Sequence, residues 1–235
     1  MATDFDAGAK PESPSTARRA GRPRRLTIET VVSEAIRHAD EQGLTELTMP
    51  QLARRLGVGT MTLYGYVANK QELIDHIATA LFADLEVPDP CDDWRRQVGE
   101  YFRRFRKAAL AHPSLTGLLA NGRITIPAVF DHLETLLGAM RTGGLGTEDA
   151  VRLFYSSLCF TIGEVQWEAP RTHAQSPVTY AQQWHELLAD LDPHAYPLLT
   201  GPAAAHLGTV SSDEQFEWGL WRIIAAEGSG ADVRR

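Results

Sequence analysis

Between Thr60 and Lys70 the chain reads TMTLYGYVANK. Thr60, Thr62, Tyr64 and Tyr66 bring four hydroxyls, Lys70 an ammonium and Met61 a slender thioether. No base stands beside any hydroxyl to make it a nucleophile. The chemistry on offer is hydrogen bonding and contact. Threonine hydroxyls suit base edges or phosphate oxygens, phenols and ammonium suit phosphates, and the methyls of Thr and Met suit a thymine methyl. Between Glu46 and Glu72 no acid occurs to repel an anion. Reactive groups elsewhere form no pattern. His112, His132, His173, His185, His194 and His206 are scattered without a His-x3-His pair. No Ser-His-Asp order and no glycine-rich phosphate loop occur, and Asp92-Asp93 sits at a helix start, where acids complement the dipole. Cys91 and Cys159 are the two cysteines, too few for a disulfide framework or a cysteine-based zinc site. No metal and no cofactor are expected, and the cysteine usage suits a reduced, cytoplasmic setting.

Short, tightly joined helices must position this tip. Thr48 and Gln51 form a capping box, with Leu47 and Leu52 as staple and Pro50 in the first turn, so a helix runs from Met49 to Leu56. Gly57 suits the left-handed residue that ends it, and Val58 plugs the turn. A third helix begins at Gly59-Thr60 and is expected to reach Tyr66, with Leu63 and Val67 inward. Asn69 and Glu72 make a second box, which opens a helix to about Glu86. Ahead of these, Thr27 caps a helix whose Ile28, Val31, Val32, Ala35, Ile36 and Ala39 share a face, ended by Gly43. Two short helices joined by a glycine turn are a helix-turn-helix, whose second helix presents its start to a DNA major groove.

Charge agrees in its distribution rather than its sum. The 235-residue chain carries a net charge of −7. From Arg18 to Lys70, nine basic residues face five acids, so this segment is +4 and the remainder −11. Residues 1–25 have too few apolar groups to offset ordering entropy and read as a disordered arm. Its basic end, ARRAGRPRRL, fits either a solvated tail or a DNA-contacting arm through Arg22, Arg24 and Arg25. The N-terminus lacks the apolar stretch of a signal peptide, and no apolar run approaches membrane-spanning length.

From residue 87 onward the pattern is helical throughout. One helix carries Trp94, Val98, Tyr101, Phe102 and Phe105 and stops at His112-Pro113. Another opens at Pro127 and stops at Thr142. Thr147 caps a long one, expected to end at Glu168 before Pro170. A further helix starts at Ser176-Pro177, and Ser212 with Gln215 caps the last, ended by Gly228. The class is all-α. The expected division is an arm (1–25), a head with its connecting helix (26–86) and a body (87–235).

TMPQLARRLGVGTMTLYGYVANKQELI resembles the tetracycline-repressor (TetR) family over residues 26–86, in the subgroup containing the tetracycline repressor itself. SLCFTIGEV and FEWGLWRIIAAEG in the body are similar more weakly. The resemblance implies an all-α homodimer with an operator-binding head and a body that binds a small-molecule effector. It implies DNA contacts from Thr60, Met61, Thr62, Tyr64, Gly65, Tyr66 and Lys70, and Thr48 at the start of the second helix is a further candidate contact. Gly65 replaces a bulky aromatic and Pro50 an arginine, so a different operator is expected. Near LLANGRITIP no histidine stands in the matching place, and Trp167 takes the place of a glutamate, so a tetracycline–magnesium effector is not expected.

The candidate effector lining is Phe102, Phe105, Leu118, Phe130, Leu133, Phe154, Phe160, Glu164, Trp167 and Trp184. Such residues are also ordinary core, and Glu164 equally suits a dimer face or a solvated one. An aromatic lining fits an apolar or aromatic compound. The expected function is a repressor of double-stranded operator DNA, released by effector, with pairing through Thr147–Glu168 and Asp213–Glu227 and with the fourth helix as lever. A constitutive architectural DNA binder and an all-α enzyme are the alternatives.

Overall fold

Thr27 starts α1 (Ile28–Gln42) by accepting the Thr30 N–H, and Gly43 closes it at φ 91°. The computed structural model describes residues 26–120, 127–174, 177–207 and 213–226, with backbone alone at 120, 128, 169–174, 177–181, 203, 205 and 226. The helices that follow are α2 (Met49–Leu56), α3 (Thr60–Leu63), α4 (Lys70–Ala83), α5 (Trp94–Ala111), α6 (Ser114–Ala120), α7 (Pro127–Thr142), α8 (Thr147–Ala174), α9 (Pro177–Ala189) and α10 (Asp213–Ala226). A 3₁₀ turn spans Pro202–Ala205. Among the described residues there is no strand.

Helices α1 to α4 form the head. Val31, Ala35, Leu47, Leu52, Leu63, Val67, Leu73 and Ile77 are buried together. The capping boxes form where the spacing predicts, each with a variation in its reciprocal bond. Thr48 accepts the Gln51 N–H at 3.4 Å and donates its own hydroxyl hydrogen to the Gln51 side chain at 2.6 Å. Asn69 accepts the Glu72 N–H at 2.9 Å, and the Glu72 carboxylate reaches back to the Ala68 N–H. An ion-pair cluster locks α2 on α1: Arg55 bonds Glu34 and, at 2.9 Å, Glu41, while Arg37 holds Glu34 at 2.7 Å.

In the body α5, α7, α8 and α10 pack on one another. Phe102, Phe105, Leu115, Leu136, Met140, Phe216 and Leu220 are the large, fully buried side chains there. Arg106 of α5 is 7% exposed. It donates to Glu168 of α8 at 2.7 Å and to Asp213 of α10 at 2.6 Å. It thereby joins three helices, and removing Glu168, itself 13% exposed, would leave the guanidinium only the solvent-exposed Asp213 as partner.

The boundaries differ from the sequence expectations at four places. Helix α3 ends at Leu63, not Tyr66, because residues 64–66 turn, with Gly65 N–H bonded to the Thr62 carbonyl. Helix α4 ends at Ala83 instead of Glu86, closed by Asp84. Helix α8 does not stop at Glu168 but runs through Pro170 to Ala174. Proline cannot donate to the carbonyl four residues earlier, yet its fixed φ is helical, so a helix can continue with that one bond missing. Helix α6 had no sequence signal. It follows Pro113, contains Gly117 and takes its cap from Asp40, which accepts the Ser114 N–H across 74 residues of chain. Ser176, Ser212 and Gly228 lie outside the described residues.

Two outcomes follow from this packing. Leu63 is wholly buried, so Leu63→Ala should cost about 2–5 kcal/mol in a denaturant titration. Burial raises the Glu34 pKa, but the hydrogen bonds and charges of Arg37 and Arg55 outweigh it and hold the carboxyl below its ordinary value. Its stabilisation is therefore present above the unfolded value of about 4.3 and lost as pH falls through the lower folded value. In an acid titration of stability, Glu34→Gln should remove part of that loss.

Candidate nucleic-acid interface and effector body

Gly57 adopts the left-handed conformation (φ 69°, ψ 27°), and its N–H closes α2 on the Arg54 carbonyl. The chain reverses there, and the Val58 N–H bonds the Ala53 carbonyl at 3.0 Å. Gly59 then opens α3. Leu63 and Val67 anchor this turn inward at 0% and 1% exposure, which turns the opposite face outward. Met61 is 82% exposed and Tyr64 43% exposed. Thr62 and Gly65 are exposed, Thr60 is half-buried, and Thr48 and Pro50 lie exposed at the start of α2. One short segment thus presents most of the predicted contact residues on a common tip. A Cβ on Gly65 would stand 3.2 Å from the Thr62 carbonyl oxygen, so the tip follows its own backbone closely.

Two predicted contacts have further roles. The Tyr66 hydroxyl donates to the Leu26 carbonyl at 2.9 Å. A phenol has one hydrogen, so Tyr66 cannot give the same hydrogen to a phosphate. It fixes the backbone at Leu26, just ahead of α1. Lys70 donates to the Thr45 carbonyl at 3.3 Å, which leaves two ammonium hydrogens for an anion. Of the arginine pair in ARRL, Arg54 is exposed and Arg55 is committed to Glu34 and Glu41. Arg22, Arg24 and Arg25 lie outside the described residues.

The candidate effector lining separates into groups. Phe102, Phe105, Leu118 and Phe154 are buried, with the Phe102 and Phe154 rings 5.7 Å apart. Leu133, Glu164 and Trp184 are half-buried. Phe160 instead stacks on Phe216 at 5.6 Å, between α8 and α10, where Gly219 leaves room for its ring. Phe130 and Trp167 are 55% and 56% exposed on the protomer surface.

Sequence inspection passed over a polar pair beside the buried aromatics. Tyr101 of α5 and His132 of α7 meet at 3.3 Å, and the His132 ring lies 6.1 Å from Phe82 of α4. Burial raises the Tyr101 pKa. Burial also lowers that of His132, against the opposing charge of Asp131. Both groups are thus held neutral, as hydrogen-bonding partners rather than charges. The one signal for His132 was its place on α7 one residue ahead of the inward Leu133.

Comparison with known proteins agrees with this layout. Residues 31–77 match the family described as bacterial regulatory proteins, tetR family. Residues 87–226 match the tetracyclin repressor-like C-terminal domain. The class E tetracycline repressor protein of Escherichia coli is 33% identical over 144 residues, 60% of this chain and 68% of that protein. The HTH-type transcriptional repressor DrrR1 of Streptomyces coeruleorubidus is 29% identical over 208 residues, covering 85% and 76%. The structure of the Streptomyces coelicolor TetR family protein ActR in complex with actinorhodin superposes with a TM-score of 0.76 at 31% identity, covering 90% of this chain and 100% of that one. With an all-helical fold, an exposed helix-turn-helix tip and both domain matches in register, the chain belongs to the TetR family and is a ligand-responsive DNA-binding transcriptional regulator.

Proposed function

We propose that the chain is a homodimeric repressor whose heads occupy two half-sites about one helical turn, or slightly more, apart. The observation that carries this reading is the α3 tip. Met61, Thr62, Tyr64 and Gly65 face outward from a buried Leu63–Val67 anchor, and no acid lies between Glu46 and Glu72. Arm, head and body divide at about residues 25 and 86. Relatives named as repressors support repression as the outcome. Among the described residues no helix is long and apolar enough to cross a membrane, and a cytoplasmic setting fits DNA binding.

Pairing runs through α8 and α10. The outward face of α8 carries Tyr155, Cys159, Gly163 and Trp167, and that of α10 carries Trp218 and Trp221. Tyr155, Trp167, Trp218 and Trp221 are each at least 50% exposed on the single protomer. Aromatic groups in such number mark a surface that is covered in the assembly, and two such helix pairs form a four-helix bundle. Trp167 then belongs to this face, and Tyr101 and His132 join Phe102, Phe105, Leu118, Leu133 and Phe154 as the effector-facing group. The similar protein ActR, seen in complex with actinorhodin, supports an apolar or aromatic effector. The effector releases DNA by binding more tightly to the body conformation whose head spacing does not fit the operator.

Gel shifts on a duplex selected from a random library test the reading. Tyr64→Ala should weaken binding at least about tenfold, and Lys70→Ala by less, both with an unchanged melting temperature; phosphate and base contacts of this kind contribute about 1–3 kcal/mol each. Undiminished affinity in both would reject the tip assignment. Tyr66→Phe should act through the arm and match a deletion of residues 1–25, each lowering affinity and its salt slope. Actinorhodin and tetracycline with magnesium serve as probes. Release by the first and not by the second is expected. A complex that no aromatic compound releases would favour a constitutive architectural binder.

A further inference from the structure

A groove in the head opens beside its contact with the body. A groove of about 1200 Å³ runs between α1, α4 and the α5–α6 turn, with Ile28, Val32 and Ile36 on one wall and Ala80, Ala83 and Pro113 on the other. Close packing along a whole interface fixes an angle by shape alone. Here α4 packs on α6 and α7, while the groove leaves α1 to meet the body only at the α5–α6 turn, where directional bonds can add to the angle that packing sets.

Asp40 lies at the edge of the groove on α1. One carboxylate oxygen faces His112 Nδ1 at 2.8 Å, and the other accepts the Ser114 N–H at 3.1 Å. The carboxylate is mostly buried, with 19% of its side chain exposed against 43% for His112. It caps α6, a body helix, from the head, so the cap and the domain contact are one interaction. Just beyond, a Cβ on Gly117 of α6 would stand 4.0 Å from Leu44 Cβ, at the end of α1. The α5–α6 corner is therefore held by α1 through the carboxylate and approached closely by the turn after α1, separately from the connection through α4.

We propose that Asp40 is a positioning residue that fixes the DNA-reading head on the body by clasping His112 and the first turn of α6. The proposal rests on the dimeric repressor reading, because head angle matters only where two heads must match two half-sites. It adds a second coupling element, α1 to α6, to the lever through α4. A displacement of α6 then reaches the head directly through the carboxylate.

Half-site spacing reads the clasp without an effector. Inserting or deleting one base pair shifts a half-site by about 3.4 Å and turns it by about 35°. The full-length wild-type protein should lose about tenfold or more in affinity for each such change. Asp40→Ala should bind the single half-site as the wild type does, yet vary less than about threefold across the spacing series. Asp40→Asn, which keeps an acceptor for Ser114, and His112→Ala, at a more exposed side chain, should fall between, so the test survives if Asp40→Ala does not fold. Wild-type spacing selectivity in all folded variants would overturn the proposal. A uniform loss at every spacing and at the single half-site would overturn it equally, because that is the mark of lost stability alone. A wild type that selects no duplex would instead remove the regulator reading on which the proposal rests.

Discussion

Burial of Leu63 is the interaction on which the proposed DNA-reading tip depends. Helix α3 has four residues, TMTL, far below the length at which a helix is stable by itself in water. Its shape comes from what surrounds it. Leu63 and Val67 are sunk among Val31, Leu52 and Leu73. Gly57 supplies the reversal, and the Thr48 and Asn69 boxes fix the helices on either side. Because the buried face is fully used, the opposite face is free to be small, hydroxylated and uncharged. A longer recognition helix could tolerate a loose anchor; this one cannot, and stability and recognition are joined at a single side chain.

Directional bonds recur within the head and at its connection to the body. There polar ties add to the apolar packing that runs through both. Arg55 bridges α1 and α2, Lys70 ties α4 to the loop after α1, and Asp40 ties α1 to α6. Within the body Arg106 joins α5, α8 and α10. Charge-assisted bonds are directional and have distinct made and broken states, whereas apolar contacts slide. A regulator that must pass between two arrangements separated by a few kcal/mol is well served by joints of this kind.

Much of the head was legible in the sequence because its signals are local. A capping box declares itself within four residues and a left-handed turn in one glycine, and both occur where TMPQ, LGVG and NKQE place them. The body was legible as helices but not as a site. Helix α6 is capped by a residue 74 positions away, which no local reading detects. Phe160, Trp167 and Phe154 sit on the same helix yet face a neighbouring helix, the protomer surface and the interior respectively. Aromatic composition cannot separate these faces, since α8 is apolar on several sides. Tyr66 looked like a phosphate ligand by type, and only the position of Leu26 shows where its hydrogen goes.

Hydroxyl-radical footprinting of the full-length protein on its selected operator tests the central claim most directly. Two protected backbone patches, related by a two-fold axis and separated by about one helical turn or slightly more, are predicted for paired heads reading successive major grooves. A single protected patch, or protection spread evenly along the duplex without symmetry, would contradict a dimer that reads DNA through two α3 tips.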